Sequence, residues 1–398
     1  MATVHLRTLL NKDMLEYPNT ISSKLPKVGT TIFTVMSQLA KENNAINLSQ
    51  GFPDFPVSQS LIDLVYKYMN LGFNQYPPMA GLLKLRETIA EKIERLYGCS
   101  YNPEEEITIT AGGTQALFTA IMATINEGDE VIVFTPAYDC YAPAIELAGG
   151  KPVYVQLKSS DYSIDWKQVK KVVSRHTKMI LINSPHNPSG AILKSSDIQE
   201  LTGITKDNDI IILSDEVYEH ILFDGEEHHS LSRYPELAKR AMIVYSFGKT
   251  FHVTGWKTGY IVGPSNLMVE FRKVHQFNVF TANAPIQYAL AEYMSNPENY
   301  MHVKDIYQEK RDIFLSAVKA SNFKLKPTKG TYFQLLDYSK ISNEEDTELA
   351  KRLTIEHKIA SIPVSVFYHN PIQNNVLRFC FAKETDTLKR AGDILCNI

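Results

Sequence analysis

DIIILSDE, residues 209–216, decides how the chain folds. Ile210–Leu213 are consecutive apolar residues with no polar face, so a strand made of them is covered on both sides. The same pattern recurs on either side of it. ITIT (107–110) leads into the helical run TQALFTAIMATI, and VIVF (131–134) follows; MILIN (179–183) precedes a helix whose start reads as a capping box at Ser196-Asp-Ile-Gln199; MIVYSF (242–247) and GYIVG (259–263) close the series. Near-continuous apolar strands alternating with helices predict an α/β fold, a mostly parallel sheet covered by helices in a large domain. LLKLRETIAEKIERLYG (82–98) is an amphipathic helix, with Leu82, Leu85, Ile89, Ile93 and Leu96 on one stripe and Gly98 as its stop. After about Pro285, long helical stretches lead to TYFQLLDY, ASIPVSVF and VLRFCFAK, the pattern of a smaller α+β domain. The expected division is a large domain over 50–285 and a small one built from 1–49 and 286–398.

Each apolar run hands over to polar or aromatic residues at its carboxyl end, where ligands of parallel sheets bind. Ala111-Gly112-Gly113-Thr114-Gln115 follows ITIT, Tyr138 follows VIVF, Asn183 and Asn187 follow MILI, Asp215 and Tyr218 follow IIILS, and Ser246 and Lys249 follow MIVY. Gly248-Lys249-Thr250 resembles the end of a nucleotide-binding loop, but that loop needs a glycine where Ile243 stands, and no strand-to-helix turn carries G-x-G-x-x-G. A different ligand suits the set. Gly112 and Gly113 open a helix, whose free N–H groups favour a phosphate, and Ser246 and Lys257 add a hydroxyl and a cation. Asp215 at the end of a buried strand calls for a cationic partner. Asn187 and Tyr218 can donate to an oxygen anion, and Tyr138 offers a face for stacking. A phosphate, a pyridinium, a phenolate oxygen and an aromatic ring together describe pyridoxal 5′-phosphate (PLP), with Lys249 as its Schiff-base lysine.

Taken singly, these residues have plainer readings. An isolated lysine is more often solvated, Asp215 resembles a helix cap, Gly112-Gly113 an ordinary turn, and Tyr138 core packing. Arg378, mid-strand in LRFCF, could be a charge on an edge strand, although its flanking Leu377, Phe379 and Phe381 make an unpaired arginine costly. His252 reads as local packing.

Over nearly its whole length the chain resembles the class I aminotransferases of PLP fold type I. It is most similar to the branch of methionine aminotransferases and kynurenine aminotransferases (cysteine-conjugate β-lyases). NLSQGFPDFP (47–56), NQYPPMAG (74–81), TAGGTQALF (110–118), NSPHNPSG (183–190), SDEVYEH (214–220), SFGKTFHVTGWKTGY (246–260) and LRFCFAK (377–383) carry the resemblance. It implies that Lys249 forms the Schiff base, that Asp215 keeps the pyridine nitrogen protonated, and that Asn187 and Tyr218 bind the phenolate oxygen. It implies that Tyr138 stacks on the ring and that Gly113, Thr114, Ser246 and Lys257 bind the phosphate, with Gln115 and Asn183 among the cofactor-binding residues. Tyr76 would reach the phosphate from the partner of a homodimer, and would also touch substrate. Arg378 would pair with the substrate α-carboxylate, with Asn187 and Gly51 beside it. Ile32, Phe33, Tyr76, Phe280 and Phe367 would wall the side-chain pocket. With no second arginine placed for a distal carboxylate, the implied reaction is transamination between a large neutral amino acid, methionine or aromatic/kynurenine-like, and a 2-oxo acid. The alternative is a PLP-dependent cysteine-conjugate β-lyase.

Composition narrows the field further. The 398 residues carry a net charge of −3, which draws the protein neither to nucleic acid nor to an anionic membrane. Cys99, Cys140, Cys380 and Cys396 have no paired metal-ligand or disulfide spacing, so a reducing compartment and no metal are expected. MATVHLRTLLNKDMLEYPNT lacks the apolar run of a secretory signal, and no stretch spans a bilayer, so the expected location is the cytoplasm.

Overall fold

The structure, a computed structural model, describes residues 17–370, 372 and 374–398; the first sixteen residues, where the reading of the leader and of the N-terminal arm begins, lie outside them. Its centre is a seven-stranded sheet. In chain order the strands are β1 (Ile107–Thr110), β2 (Glu130–Thr135), β3 (Lys151–Gln156), β4 (Thr177–Asn183), β5 (Ile211–Asp215), β6 (Ala241–Ser246) and β7 (Gly259–Val262). Across the sheet they run β1-β7-β6-β5-β4-β2-β3. The β2–β3, β2–β4, β4–β5 and β5–β6 pairs are parallel; β7 runs antiparallel to both β1 and β6.

Alternate side chains of the apolar strands divide between two cores, as the period of a strand requires. Ile132, Ile180, Ile212 and Ile243 pack on one face against the helices Leu83–Tyr97 and Ala284–Met294. Val133, Leu181, Leu213 and Val244 pack on the other against Gly113–Thr124 and Ser265–Asn278. The helix expected to start at Ser196 begins instead at Ser195, where the Asp197 carboxylate accepts from Lys194 N–H at 2.8 Å.

A third core gathers Met36, Leu48 and the segment from Val303 onward. It covers a four-stranded antiparallel sheet of β8 (Lys324–Leu325), β9 (Phe333–Asp337), β10 (Ile362–Pro363) and β11 (Val376–Cys380), ordered β10-β11-β9-β8. Ala289, Leu290 and Tyr300 belong to the core of the large sheet, and Val303 and Tyr307 to the third core. β11 lies between β10 and β9, which removes the edge-strand reading of Arg378. Ile46–Asn47 pairs in parallel with Ile359–Ala360 and leads the chain from the third core toward Gly51.

Candidate active site

The carboxyl ends of the parallel strands meet the third core around a cavity of about 270 Å³. Phe33, Gly51, Gly113, Thr114, Tyr138, Asn183, Asn187, Asp215, Tyr218, Ser246, Lys249, Lys257 and Arg378 all line it. These thirteen residues, all named from sequence, therefore reach one space. Ile32, Phe280 and Phe367, expected in the side-chain wall, are not among its lining, nor are Gln115 and Tyr76. Gln115 accepts from Ala111 N–H at 3.0 Å and donates to Thr119 Oγ1 at 2.7 Å, so its amide braces the start of its own helix. Tyr76 is 84% exposed and lies edge-on to Phe280, with ring centroids 5.5 Å apart.

One end of the cavity is built for an anion. Gly112 turns with φ +86° into the helix Gly113–Thr124, whose first N–H groups face outward there. Gly259 lets β7 pass close beneath this turn, because a Cβ on it would sit 2.6 Å from Tyr245 O and 3.2 Å from Gly113 N. The Lys257 ammonium stands 3.6 Å from where a Cβ of Gly112 would be.

The middle is built for a cation. Asp215 ends β5 and is 4% exposed. Tyr141 Oη donates to its Oδ2 at 2.6 Å, and Val217 N–H to its Oδ1 at 3.3 Å. Burial outweighs both bonds and pushes the carboxyl up to about 6. Asn183 holds the neighbouring strand ends together, donating from Nδ2 to Asp215 O at 2.9 Å and accepting from Asn187 N–H at 2.8 Å.

Lys249 occupies a single helical turn, Phe247–Thr250, directly after β6. Its Nζ donates to Tyr332 Oη at 2.8 Å, and burial, aided by the charges of Lys257 and Arg378, lowers its ammonium to about 8. A free amine therefore exists close to neutral pH, able to act as nucleophile or base.

The third-core side carries Arg378, 1% exposed. Nη1 donates to Asn187 Oδ1 at 2.7 Å and Nη2 to Ser49 O at 3.1 Å, while Nε is buried without a partner among the described residues. Its guanidinium lies over Phe333, 3.9 Å from the ring centroid, with Phe33 and Phe367 each at 5.4 Å. A buried guanidinium with an unmatched donor and an aromatic surround fits a carboxylate whose neighbouring side chain is apolar.

Three contributors escape sequence reading. Tyr141 has the weak signal of lying three residues beyond Tyr138, so both reach the same sheet edge. Tyr332 and Phe333 read only as a strand, because what they touch lies far away in the chain.

The family model for aminotransferase class I and II matches residues 43–395. A methionine aminotransferase of Escherichia coli (strain K12) is 45% identical over 383 residues, covering 96% of this chain and 99% of the relative. A kynurenine–oxoglutarate transaminase of Dictyostelium discoideum is 33% identical, covering 97% and 98%. The crystal structure of an Escherichia coli protein identified as having a methionine aminotransferase function superposes with a TM-score of 0.94 at 45% identity, covering 96% of this chain and all of that one.

Proposed function

We propose, since this chain belongs to the aminotransferase class I and II family, that its amino donor is a large neutral amino acid, methionine or an aromatic or kynurenine-like one, and that Lys249 carries the transfer. The enzyme is a PLP-dependent aminotransferase, passing an amino group from an amino acid to a 2-oxo acid. The observation that carries the assignment of roles is the Lys249 amine, lowered to about 8 and set in one cavity with Asp215 and Arg378.

The residues present fit the cofactor. The turn at Gly112, with Ser246 and Lys257, suits its phosphate; Asp215, buried and short of a cation, suits its ring nitrogen; Tyr138 suits its ring face; Asn187 and Tyr218 suit its phenolic oxygen. When bound, the cofactor supplies an electron-withdrawing ring that renders the substrate α-proton removable. The remaining work falls to the chain. Arg378 takes the α-carboxylate and fixes the amino acid's orientation. Lys249 Nζ would hold the cofactor and, when free, would accept the substrate α-proton on its lone pair. Asp215 would favour a positive charge on the ring nitrogen. Phe33, Phe333 and Phe367 exclude water around Arg378 and present apolar surface to the donor's side chain.

Large neutral donors are favoured by that aromatic surround and by the substrates named for the two relatives. A panel of donors tests this: methionine, phenylalanine and kynurenine should outrun aspartate, and the reverse order would sink the proposal. Lys249→Ala should lose turnover and the yellow absorbance of the bound cofactor. We further propose a homodimer, supported by the exposed Tyr76, and a cytoplasmic location, supported by the four free cysteines.

A further inference from the structure

Lys249 does not end in open space. Besides Tyr332 Oη at 2.8 Å, its Nζ has the Gly51 carbonyl at 3.4 Å, and Tyr332 Oη itself donates to that carbonyl at 2.6 Å. Tyr332 has one O–H proton and Gly51 takes it, so toward the lysine its oxygen can only accept. The oxygen is held in place. Tyr332 is fully buried, perpendicular to Tyr218 at 5.2 Å between centroids and packed against Phe333 and Tyr307. Gly51 is equally constrained, since a Cβ there would lie 2.6 Å from Phe333 Cζ and 3.2 Å from Tyr332 Cε2.

We propose that Tyr332 Oη and the Gly51 carbonyl form a perch for the free amine of Lys249, taking its two N–H protons and turning its lone pair into the cavity. The inference rests on Lys249 being the proton-moving base. A neutral amine has two N–H bonds and one lone pair; with both protons drawn to acceptors on one side, the pair faces the other way. Tyr332 is thus a positioning residue, acting on substrate through Lys249. The perch has a second consequence. An acceptor stabilises the ammonium more than the amine, so the perch opposes the burial that lowers the lysine.

Tyr332→Phe removes one oxygen and keeps the ring. The test uses holoenzyme converted by excess donor to the aminated form of its cofactor, in which Lys249 is free. Acetylation of Lys249 by acetic anhydride is followed against pH on its own peptide by mass spectrometry. In Tyr332→Phe the midpoint should fall by about one pH unit, the size of one lost bond to a charged donor. With 3-fluorotyrosine at 332, a weaker acceptor, it should fall by less. Turnover in Tyr332→Phe should drop about tenfold at unchanged KM, with a larger α-deuterium isotope effect. An unchanged midpoint overturns the perch, and a shifted midpoint with unaltered turnover and isotope effect overturns the positioning role. The labelling midpoint is read whether or not Lys249 is the base; failure of that underlying reading shows separately, as retained turnover in Lys249→Ala.

Discussion

At the residue scale, the features that suit Lys249 to catalysis work against folding. A lysine whose ammonium is lowered to about 8 binds fewer protons folded than unfolded between pH 8 and its ordinary 10.5. Its penalty is therefore full below pH 8 and fades as pH climbs toward 10.5. In the cofactor-free chain Lys249→Met should unfold at higher temperature at pH 7, by about 1–2 kcal/mol in stability, with the gap narrowing in scans from pH 8 to 10. Equal melting at pH 7 would show that solvent already relieves the charge. Asp215 runs the opposite way. Pushed up to about 6 by burial, it is protonated below that pH and has no charge to offer a ring nitrogen; above it the charge is present. Cofactor affinity, followed by absorbance titration, should therefore rise from pH 5 to 7 in the native enzyme and stay flat in Asp215→Asn. Arg378→Lys keeps the positive charge but loses the planar fork and the bond to Asn187 or Ser49. Steady-state kinetics should show kcat/KM down about a hundredfold or more, on the scale of about 3 kcal/mol for a charged pair misaligned in a buried site.

At the element scale, the large sheet was legible because its strands are apolar runs that end in polar residues, and burial on both faces leaves that mark on sequence. Direction was not equally legible. GYIV is as buried as the central parallel strands of the sheet, and nothing local says that β7 runs back between β1 and β6; only the pairing on both sides does. The helix Leu83–Tyr97 gives a similar lesson. Its stripe was readable from leucine and isoleucine spacing, and Gly98 closes it with φ +70°. Lys92 lies next to that stripe, and it is 3% exposed, ion-paired with Glu219 and bonded to Tyr260 Oη at 2.9 Å. Glu219 also accepts from Tyr97 Oη at 2.5 Å. A helix far in sequence thus clamps the segment that follows Asp215 and bears Tyr218. Lys92→Met leaves Glu219 buried and unmatched, and should destabilise by about 3–5 kcal/mol in denaturant unfolding. Lys92→Met/Glu219→Gln, which removes both charges, should recover most of that loss; no recovery would mean the pair is not what the segment depends on.

At the scale of the whole molecule, the site exists only where two cores meet. The large sheet supplies Asp215, Lys249 and the anion turn, while Phe33, Phe333 and Arg378 come with the third core, joined across the gap by Arg378–Asn187 and Lys249–Tyr332. Sequence could rank the strand ends as a set because one sheet edge gathers them, but no pattern along the chain says which third-core residues arrive opposite. The family resemblance brings Tyr76 to the site from the partner of a homodimer, and within one chain the residue stays outside the cavity. Beside it lie further exposed apolar side chains: Met69, 52% exposed, lines the same surface depression, and Phe280, 42% exposed, meets its ring. The proposed homodimer would reconcile these facts by carrying Tyr76 toward the partner's cavity. Light scattering should then give about twice the 45.1 kDa of one chain. Complementation gives the sharper result. Lys249→Ala and a Tyr76→Ala variant, each of low activity, are unfolded together and refolded at equal amounts. If Tyr76 serves the partner's site, every mixed dimer has one cavity with both lesions and one with neither, so about a quarter of all sites should regain native kcat. If Tyr76 serves only its own chain, each cavity keeps one lesion in every dimer and no activity returns.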